Sequence, residues 1–365
     1  LWPVALAYVL LEPVAGSIQK SSFKNPPLVI TNDGWGAFGN IEHKSREDLF
    51  HQFRSIPEEN DVDMLIWGNG VGDWCNYPTE VGNYFSTPHT IHAGGLNVMQ
   101  KNIKLWQQKE WNSMKLMREY TRERGWEFQV YIRMQGFGVL WPRGLQVQSD
   151  FFNDHPEYHC LDKEGRHLSR LSYAYPEVRE HMLELIMEIS SYDPDGICLN
   201  FTRGLPLVLY EPIMVEGFME KHGTDPRDLD ESDPEWLDYM AELTTEFVRM
   251  VRETLPESQR LSAMVPGMEK DCRKYGLDIP VLLEQDLIDD LIPAGIYYNE
   301  NDVHIDAPDS LDFEYFMNLE GREKIRLIPL LYPWGKFQND FAGWLKLFEQ
   351  HANGGADALG VWDAV

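Results

Sequence analysis

The feature that most constrains the fold is a regular alternation between short apolar runs and longer segments with a helical repeat. Parallel strands need crossover connections of about a dozen residues or more, which helices normally supply. Repeated strand–helix units therefore predict an α/β protein, a single (β/α)8 TIM barrel. The predicted strands are Leu28–Asn32, Val62–Trp67, Phe128–Arg133, Gly196–Phe201, Leu261–Val265, Leu287–Pro293, Ile325–Leu331 and Ala358–Trp362.

Length and composition agree with one barrel domain over residues 21–365. A chain of 365 residues with a hydrophobic share of 43% is long enough for one barrel with extended loops. The formal net charge of −27 argues against nucleic acid or an anionic membrane surface as a partner. The glycines after strand two do not fit a phosphate-binding pattern. We expect no cofactor and no metal, and the sequence leaves the oligomeric state open.

The two ends of the chain carry separate predictions. The first 11 residues are apolar and are followed by small residues, which resembles the end of a secretory signal. Residues 1–20 therefore predict export to the periplasm or the extracellular space, and the alternative is a helix packed under the barrel. The run is too short to span a bilayer. Because the sequence stops two residues after Asp363, we also expect a truncated C-terminus.

Two connections are unusually long, from Gly68 to Asn102 and from Met134 to Tyr175. Both leave the C-terminal end of a predicted strand, which is the face where barrel enzymes keep their chemistry. Long loops in a compact domain usually carry function. The sequence therefore predicts a functional cleft above strands two and three.

Carboxylates follow the first and last predicted strands. Asp33 comes directly after strand one and Asp363 after strand eight, and these strands are neighbours in a closed barrel. We take the two as a candidate catalytic pair, with Glu269 and Glu300 in reserve. For Asp33 the alternative is a turn, which Asn-Asp-Gly forms readily. Indole rings at the ends of strands one, two and eight are candidate stacking platforms for a ligand, namely Trp35, Trp67 and Trp362.

Polar residues also mark the ends of strands three and four. Arg133 at a strand end requires a carboxylate partner, from the protein or from a ligand. His155 in the following loop is a candidate proton donor or acceptor, although His-Pro-Glu is also a common turn. Asn200 and Arg203 end strand four, where strand alternation turns Asn200 toward the cleft. We expect both to bind a ligand.

The strand-four segment Tyr192-Asp-Pro-Asp-Gly-Ile-Cys-Leu-Asn-Phe-Thr-Arg203, preceded by Pro176-Glu-Val-Arg179, carries a family resemblance. It resembles bacterial glycoside-hydrolase-like barrels labelled "family 10 glycosylhydrolase", and the similarity extends over most of residues 28–363. A more distant similarity is to inverting exo-sialidase barrels, which use an Asp and a His. The resemblance implies a carbohydrate substrate. This chain departs from the family in having Asn200 where the family has Asp.

Three hypotheses follow. The first is a glycoside hydrolase that acts on an oligo- or polysaccharide through the carboxyl groups of Asp33 and Asp363. The second is a catalytically inactive carbohydrate-binding barrel, which Asn200 favours because an amide cannot act as a nucleophile or a base. The third is a metal-dependent hydrolase, but strand one lacks the His-x-His of such sites. The sequence leaves a disulfide open among Cys75, Cys160 and Cys272, and predicts that Cys198 is a reduced core residue.

Overall fold

Eight parallel strands close into a barrel, which confirms the predicted fold. The computed structural model describes residues 26–56, 62–85, 94–137, 149–202, 205–298, 304–306, 311–332 and 341–362. Neighbouring strands pair in parallel all the way round, and the last strand pairs with the first. The strands are β1 Leu28–Asn32, β2 Val62–Gly68, β3 Glu127–Arg133, β4 Gly196–Asn200, β5 Arg260–Pro266, β6 Asp290–Ala294, β7 in two pieces, Arg326–Leu327 and Leu330–Leu331, and β8 Leu359–Val361.

The sixth strand differs most from its predicted bounds, and the seventh keeps its bounds within one residue but is interrupted. β6 begins at Asp290 rather than at Leu287, because the Leu287 N–H donates to the Leu282 carbonyl and closes a turn. Leu287 and Ile288 are nevertheless buried, so an apolar run alone could not separate turn from strand. β7 is interrupted around Pro329, which has no N–H to give to a neighbouring strand.

Helices surround the barrel. The helix that begins at Pro176 buries an apolar stripe of Val178, Met182, Leu185, Ile186 and Ile189 against the barrel. Two helices precede the third strand, and the second of them starts at the Asn112 cap and ends at Gly125. The helices are α1 Trp35–Gly39, α2 Gly94–Gln108, α3 Ser113–Arg124, α4 Asp150–Asp154, α5 Pro176–Ser190, α6 Pro212–His222, α7 Pro234–Thr254, α8 Glu269–Lys274, α9 Ile279–Glu284, α10 Phe313–Met317 and α11 Phe341–Asn353.

The helix α7 begins at an aspartate cap. Its N-cap is Asp233, whose carboxylate accepts the N–H groups of Glu235 and Trp236. Asp is as good a cap as Ser, and Pro234 then occupies the first helical position, where its missing N–H is no loss.

The lower end of the barrel interior, where the strands begin, is polar and ionic. Asp290 is completely buried there and lies 2.6 Å from both Arg260 and Arg326. Its carboxylate also accepts hydrogen bonds from Gln129 and Ser262. Burial alone would raise the pKa of Asp290, but the hydrogen bonds and charges of Arg326 and Arg260 outweigh it and lower the pKa to about 2. This end of the barrel is therefore held by charge as well as by packing.

The two long connections contain secondary structure of their own. The first holds a small sheet of Gly70–Val71, Trp74–Cys75 and Asn83–Tyr84. The second holds α4 and the hairpin of His159–Leu161 with His167–Leu171. Both leave the C-terminal ends of their strands as predicted, so they form walls beside the barrel mouth.

All four cysteines are buried free thiols, so the loop disulfide that the sequence left open is not formed. In the described part of the chain, helices long and apolar enough to cross a membrane are absent. Residues 1–25, which contain the predicted export segment, lie outside the described residues, as do Arg203, Glu300 and Asp363.

Candidate active site

Asp33 lies at the barrel mouth and accepts hydrogen bonds on both carboxylate oxygens. Arg133 Nη2 lies 2.8 Å from Asp33 Oδ2, and the Tyr131 hydroxyl donates to Oδ1. The side chains of Asp33 and Arg133 are only 19% and 16% exposed. The carboxylate partner predicted for Arg133 is thus a residue of the protein, Asp33. We call Asp33, Tyr131 and Arg133 the mouth clamp.

The clamp spans three strands. Asp33 follows β1 and its two donors lie on β3, while β2 runs between them. Gly68, the last residue of β2, lies opposite Tyr131 in the register. A Cβ at position 68 would come within 2.7 Å of Tyr131 Cζ and 2.8 Å of the Asp33 carbonyl oxygen. The absence of a side chain at Gly68 therefore leaves the space through which Tyr131 reaches Asp33.

The turn expected as the alternative for Asp33 does form, but Asn32 makes it. The Asn32 Oδ1 accepts the Gly34 N–H at 2.8 Å, and Gly34 adopts a left-handed φ of 71°. This Asx-turn leaves the Asp33 carboxylate for the clamp. The turn and the clamp are therefore compatible, and the local sequence serves both.

Asn200 ends β4 beside Arg133, its partner in the strand register. Its side chain is completely buried, and Oδ1 accepts both the N–H and the hydroxyl of Thr202, at 3.0 and 2.7 Å. These two donors fix the orientation of the amide, since the reverse orientation would oppose donor to donor. Within the described residues Nδ2 has no acceptor. An unused buried donor of this kind calls for an explanation.

The three candidate tryptophans occupy different environments. Trp362 is fully buried in the barrel interior against Tyr131, with ring centroids 6.1 Å apart, so its ring packs in the core and offers no exposed face for stacking. Trp35 is half-buried and contacts Trp74 and Phe85 at 5.5 and 5.6 Å. Trp67 is fully buried on the outer side of β2 and packs toward Phe53. The stacking role predicted for Trp67 is replaced by a packing role, because strand alternation turns its ring away from the mouth.

The remaining candidates stand apart from the clamp or outside the described residues. His155 lies in the β3 loop, where Nδ1 is 3.0 Å from Glu157 and the ring stacks on Tyr158. Glu269 is an exposed residue at the start of α8. The structure brings neither to Asp33, so a catalytic role for each stays a prediction. Asp363, Glu300 and Arg203 lie outside the described residues.

Tyr131 and Gly68 were missed by the sequence analysis. Tyr131 stands two positions before Arg133 on one strand, so alternation places both side chains on the inner face. That signal was present, but Tyr131 lies between Val130 and Ile132, so the sequence indicates a core position equally well. The requirement for glycine at position 68 depends on the register of three strands and has no local signature.

Groups of three or more metal-ligating side chains are absent from the portion of the chain that the structure describes. The described side chains at the mouth supply a carboxylate, a guanidinium, a phenol and an amide. Such a set can hold sugar hydroxyls and keep a carboxylate ionised.

No family model matches the sequence, and no curated protein is significantly similar to it. The resemblances to family 10 glycosylhydrolase-like barrels and to exo-sialidases therefore stay predictions.

Several solved structures are similar to this chain at low sequence identity. The α-galactosidase TtGalA from Thermus thermophilus is 13% identical over 93% of this chain, with a TM-score of 0.48, and the chain spans 61% of its length. The glycoside hydrolase domain of PelA from Pseudomonas aeruginosa is 11% identical over 68% of this chain and 83% of its own, with a TM-score of 0.42. A chitinase from Bacteroides thetaiotaomicron is 9% identical over 93% of this chain and 89% of its own, also at 0.42. The fold is shown by the strand pairing of the chain itself. The function is inferred below from the residues at the barrel mouth.

Proposed function

We propose that the protein is a glycoside hydrolase that acts on an oligo- or polysaccharide through carboxylate catalysis at the barrel mouth. The observation that carries the proposal is the clamped carboxylate. Asp33 stands at the C-terminal end of β1, partly exposed, with Arg133 on one oxygen and Tyr131 on the other. The strand-four resemblance supports a carbohydrate as the substrate.

In this proposal Asp33 is the ionised member of a catalytic pair. Hydrogen bonds and a nearby positive charge both favour the charged form of a carboxyl group. Glycoside hydrolysis requires one ionised carboxylate and one carboxyl group that donates a proton to the leaving oxygen. The clamp suits Asp33 for the first role, as nucleophile or base, and makes it a poor proton donor.

We propose Asp363 as the proton donor. It directly follows Trp362, whose backbone continues β8, and β8 is paired with β1. Asp363 itself lies outside the described residues, so its role stays a prediction from the order of the strands. The separation of the two carboxyl groups decides between retention and inversion of the anomeric centre.

Asn200 and Trp35 serve substrate binding in this proposal. The Nδ2 donor of Asn200, which has no acceptor among the described residues, suits a sugar oxygen. The half-buried Trp35 supplies an apolar face near the mouth. An export signal in residues 1–20 would fit an enzyme that meets polysaccharide outside the cell.

A carbohydrate-binding barrel without hydrolysis is the second candidate, and Asn200 favours it. The Asn200 amide oxygen accepts two hydrogen bonds from Thr202, so an uncharged residue is held at this strand end. The site could then bind a glycan without cutting it.

One experiment separates the two candidates. Purified protein is incubated with a panel of p-nitrophenyl glycosides, oligosaccharides and polysaccharides, followed by product analysis and by calorimetry on the same panel. Release of nitrophenol or of new reducing ends supports the hydrolase. Binding in calorimetry without any product, over the whole pH range from 4 to 8, supports the binder and contradicts the hydrolase.

A further inference from the structure

We propose that Tyr131 is a positioning residue that holds the Asp33 carboxylate in one orientation and favours its ionised form, and that Gly68 permits this contact. The inference rests on the proposed function in one respect, because the state of Asp33 affects turnover only if Asp33 takes part in it. Tyr131 is not one of the candidate site residues identified from the sequence.

The two donors contact different oxygens of the Asp33 carboxylate. Tyr131 donates to Oδ1 of Asp33, and Arg133 donates to Oδ2. Two donors on two oxygens fix both side-chain torsions of an aspartate, which a single contact cannot do. Each hydrogen bond to the charged form also lowers the tendency of the carboxylate to take up a proton.

The second step is the rigidity of Tyr131 itself. Its side chain is completely buried in the barrel interior, in the same cluster as Cys198 and Trp362. The Trp362 ring lies 6.1 Å from it, tilted by 34°. Close packing on this scale leaves little room for another rotamer. A buried phenol also needs a partner for its hydroxyl, and Asp33 is that partner.

The third step is the requirement for glycine on the intervening strand. A Cβ on Gly68 would lie 2.7 and 2.8 Å from Cζ and Oη of Tyr131, and 2.8 Å from the backbone oxygen of Asp33. The contacts with Cζ and Oη are too close for the Tyr131 side chain, and the contact with the Asp33 oxygen is too close for the main chain that follows β1. An alanine therefore has to displace the Tyr131 hydroxyl from Asp33 or separate the two strands.

The test measures the titration of Asp33 directly and needs no substrate. Carbon-13 spectra of aspartate carboxyl groups are recorded between pH 2 and 8, and Asp33 is assigned by difference from Asp33→Asn. We expect Tyr131→Phe to raise the midpoint of the Asp33 titration by about one to two pH units, the equivalent of one charged hydrogen bond. Gly68→Ala should raise it in the same direction, with every side chain of the clamp still present.

Two matched controls are available elsewhere in the chain. Tyr77→Phe removes another hydrogen bond from a tyrosine to a carboxylate, the 2.8 Å contact with Glu188. Gly39→Ala adds a methyl group at a glycine where the nearest atom would be 3.6 Å away. Neither should move the Asp33 titration. An unchanged Asp33 midpoint in both Tyr131→Phe and Gly68→Ala would overturn the positioning role.

Kinetics with a substrate found in the glycan panel give the second readout. Tyr131→Phe should lower kcat about ten- to hundredfold with little change in KM, and should move the acid limb of the pH profile upward. Tyr77→Phe should leave that limb in place. If Asp33→Asn abolishes turnover while Tyr131→Phe keeps the wild-type pH profile, the positioning role fails and the hydrolase proposal stands. If the wild-type protein shows no turnover on the panel while Tyr131→Phe moves the Asp33 titration, the positioning role stands and the hydrolase proposal fails.

Discussion

Arg133 on β3 donates a 2.8 Å hydrogen bond to the carboxylate of Asp33, which follows β1, across the intervening β2 strand. Both side chains are largely buried. An ion pair that bridges β1 and β3 at the mouth spans the intervening strand β2, and a neighbouring positive charge favours the ionised form of a carboxyl group. The consequences can be measured separately as stability and as activity.

Replacing Arg133 by Met should reduce both. Removal of one member of a largely buried ion pair leaves the other charge without compensation, at a cost on the order of 2–3 kcal/mol in unfolding free energy. The pKa of Asp33 should rise, because the positive charge that favours the carboxylate is gone. Urea unfolding checks the first effect and the acid limb of a pH–rate profile the second. Arg133→Lys keeps the charge and should show a smaller shift of that limb; an unaltered limb in Arg133→Met would contradict the pairing.

The ionic cluster at the lower end of the barrel predicts a loss of stability in acid. The pKa of Asp290 is lowered to about 2, whereas an unfolded aspartate titrates near 3.9. The depressed pKa therefore stabilises the fold above about pH 4, and this contribution, on the order of 2 kcal/mol, is lost as the pH falls toward 2.

Asp290→Asn checks that prediction. The variant should be less stable than wild type at pH 7, and the gap should narrow between pH 4 and 2 in urea titrations. Glu164→Gln, which removes an exposed ion pair with Arg166, is the control and should change stability little at either pH. A gap for Asp290→Asn that stays constant down to pH 2 would argue against the lowered pKa.

The two tryptophans Trp67 and Trp35 should respond differently to truncation. Trp67 is fully buried between the barrel and its helices, so Trp67→Ala should cost about 3–5 kcal/mol of stability and leave glycan affinity of the folded protein unchanged. Trp35 is half-buried at the end of β1, so Trp35→Ala should weaken glycan binding with a smaller loss of stability. Thermal unfolding and calorimetry on the same samples decide; weaker binding in Trp67→Ala alone would reverse the assignment.

The four thiols should be inert in the native protein. All are buried and unpaired, and burial raises the pKa of Cys75, Cys160, Cys198 and Cys272. The reactive thiolate is therefore scarce and inaccessible. A colorimetric thiol reagent should titrate four groups in denaturant and react with the native protein only as fast as it opens. Fast reaction of a native thiol would show an exposed cysteine.

The barrel was predictable because its signal is repeated around the whole sheet. Alternating apolar strands and amphipathic helices set the strand order, and most strand ends fell within a residue or two. The start of the sixth strand was misplaced because a buried turn at Leu287 is as apolar as the strand itself, so periodicity could not separate them. The bounds of the seventh strand were predicted within one residue, but its interruption at Pro329 was not predicted.

The site was only half predictable from the sequence. Asp33 and Arg133 stand at the C-terminal ends of strands, where barrel enzymes keep their active sites, so each could be identified individually from the sequence. Their pairing, the role of Tyr131 and the need for Gly68 depend on distances across three strands. Trp67 shows the opposite error, since its identity suggested stacking and only its strand face shows that it is core. Asn200 was expected to face the cleft, and its fixed amide follows from a contact with Thr202 two residues away.

The most direct test of the account is the turnover of Asp33→Asn on a substrate from the glycan panel, measured at a temperature where circular dichroism shows wild type and variant to be folded. We expect kcat of Asp33→Asn to be about 10²–10⁴-fold below that of the wild-type protein. Its affinity for the glycan should stay within a few-fold of the wild-type affinity. Wild-type turnover in Asp33→Asn would contradict the claim that the clamped carboxylate performs the chemistry.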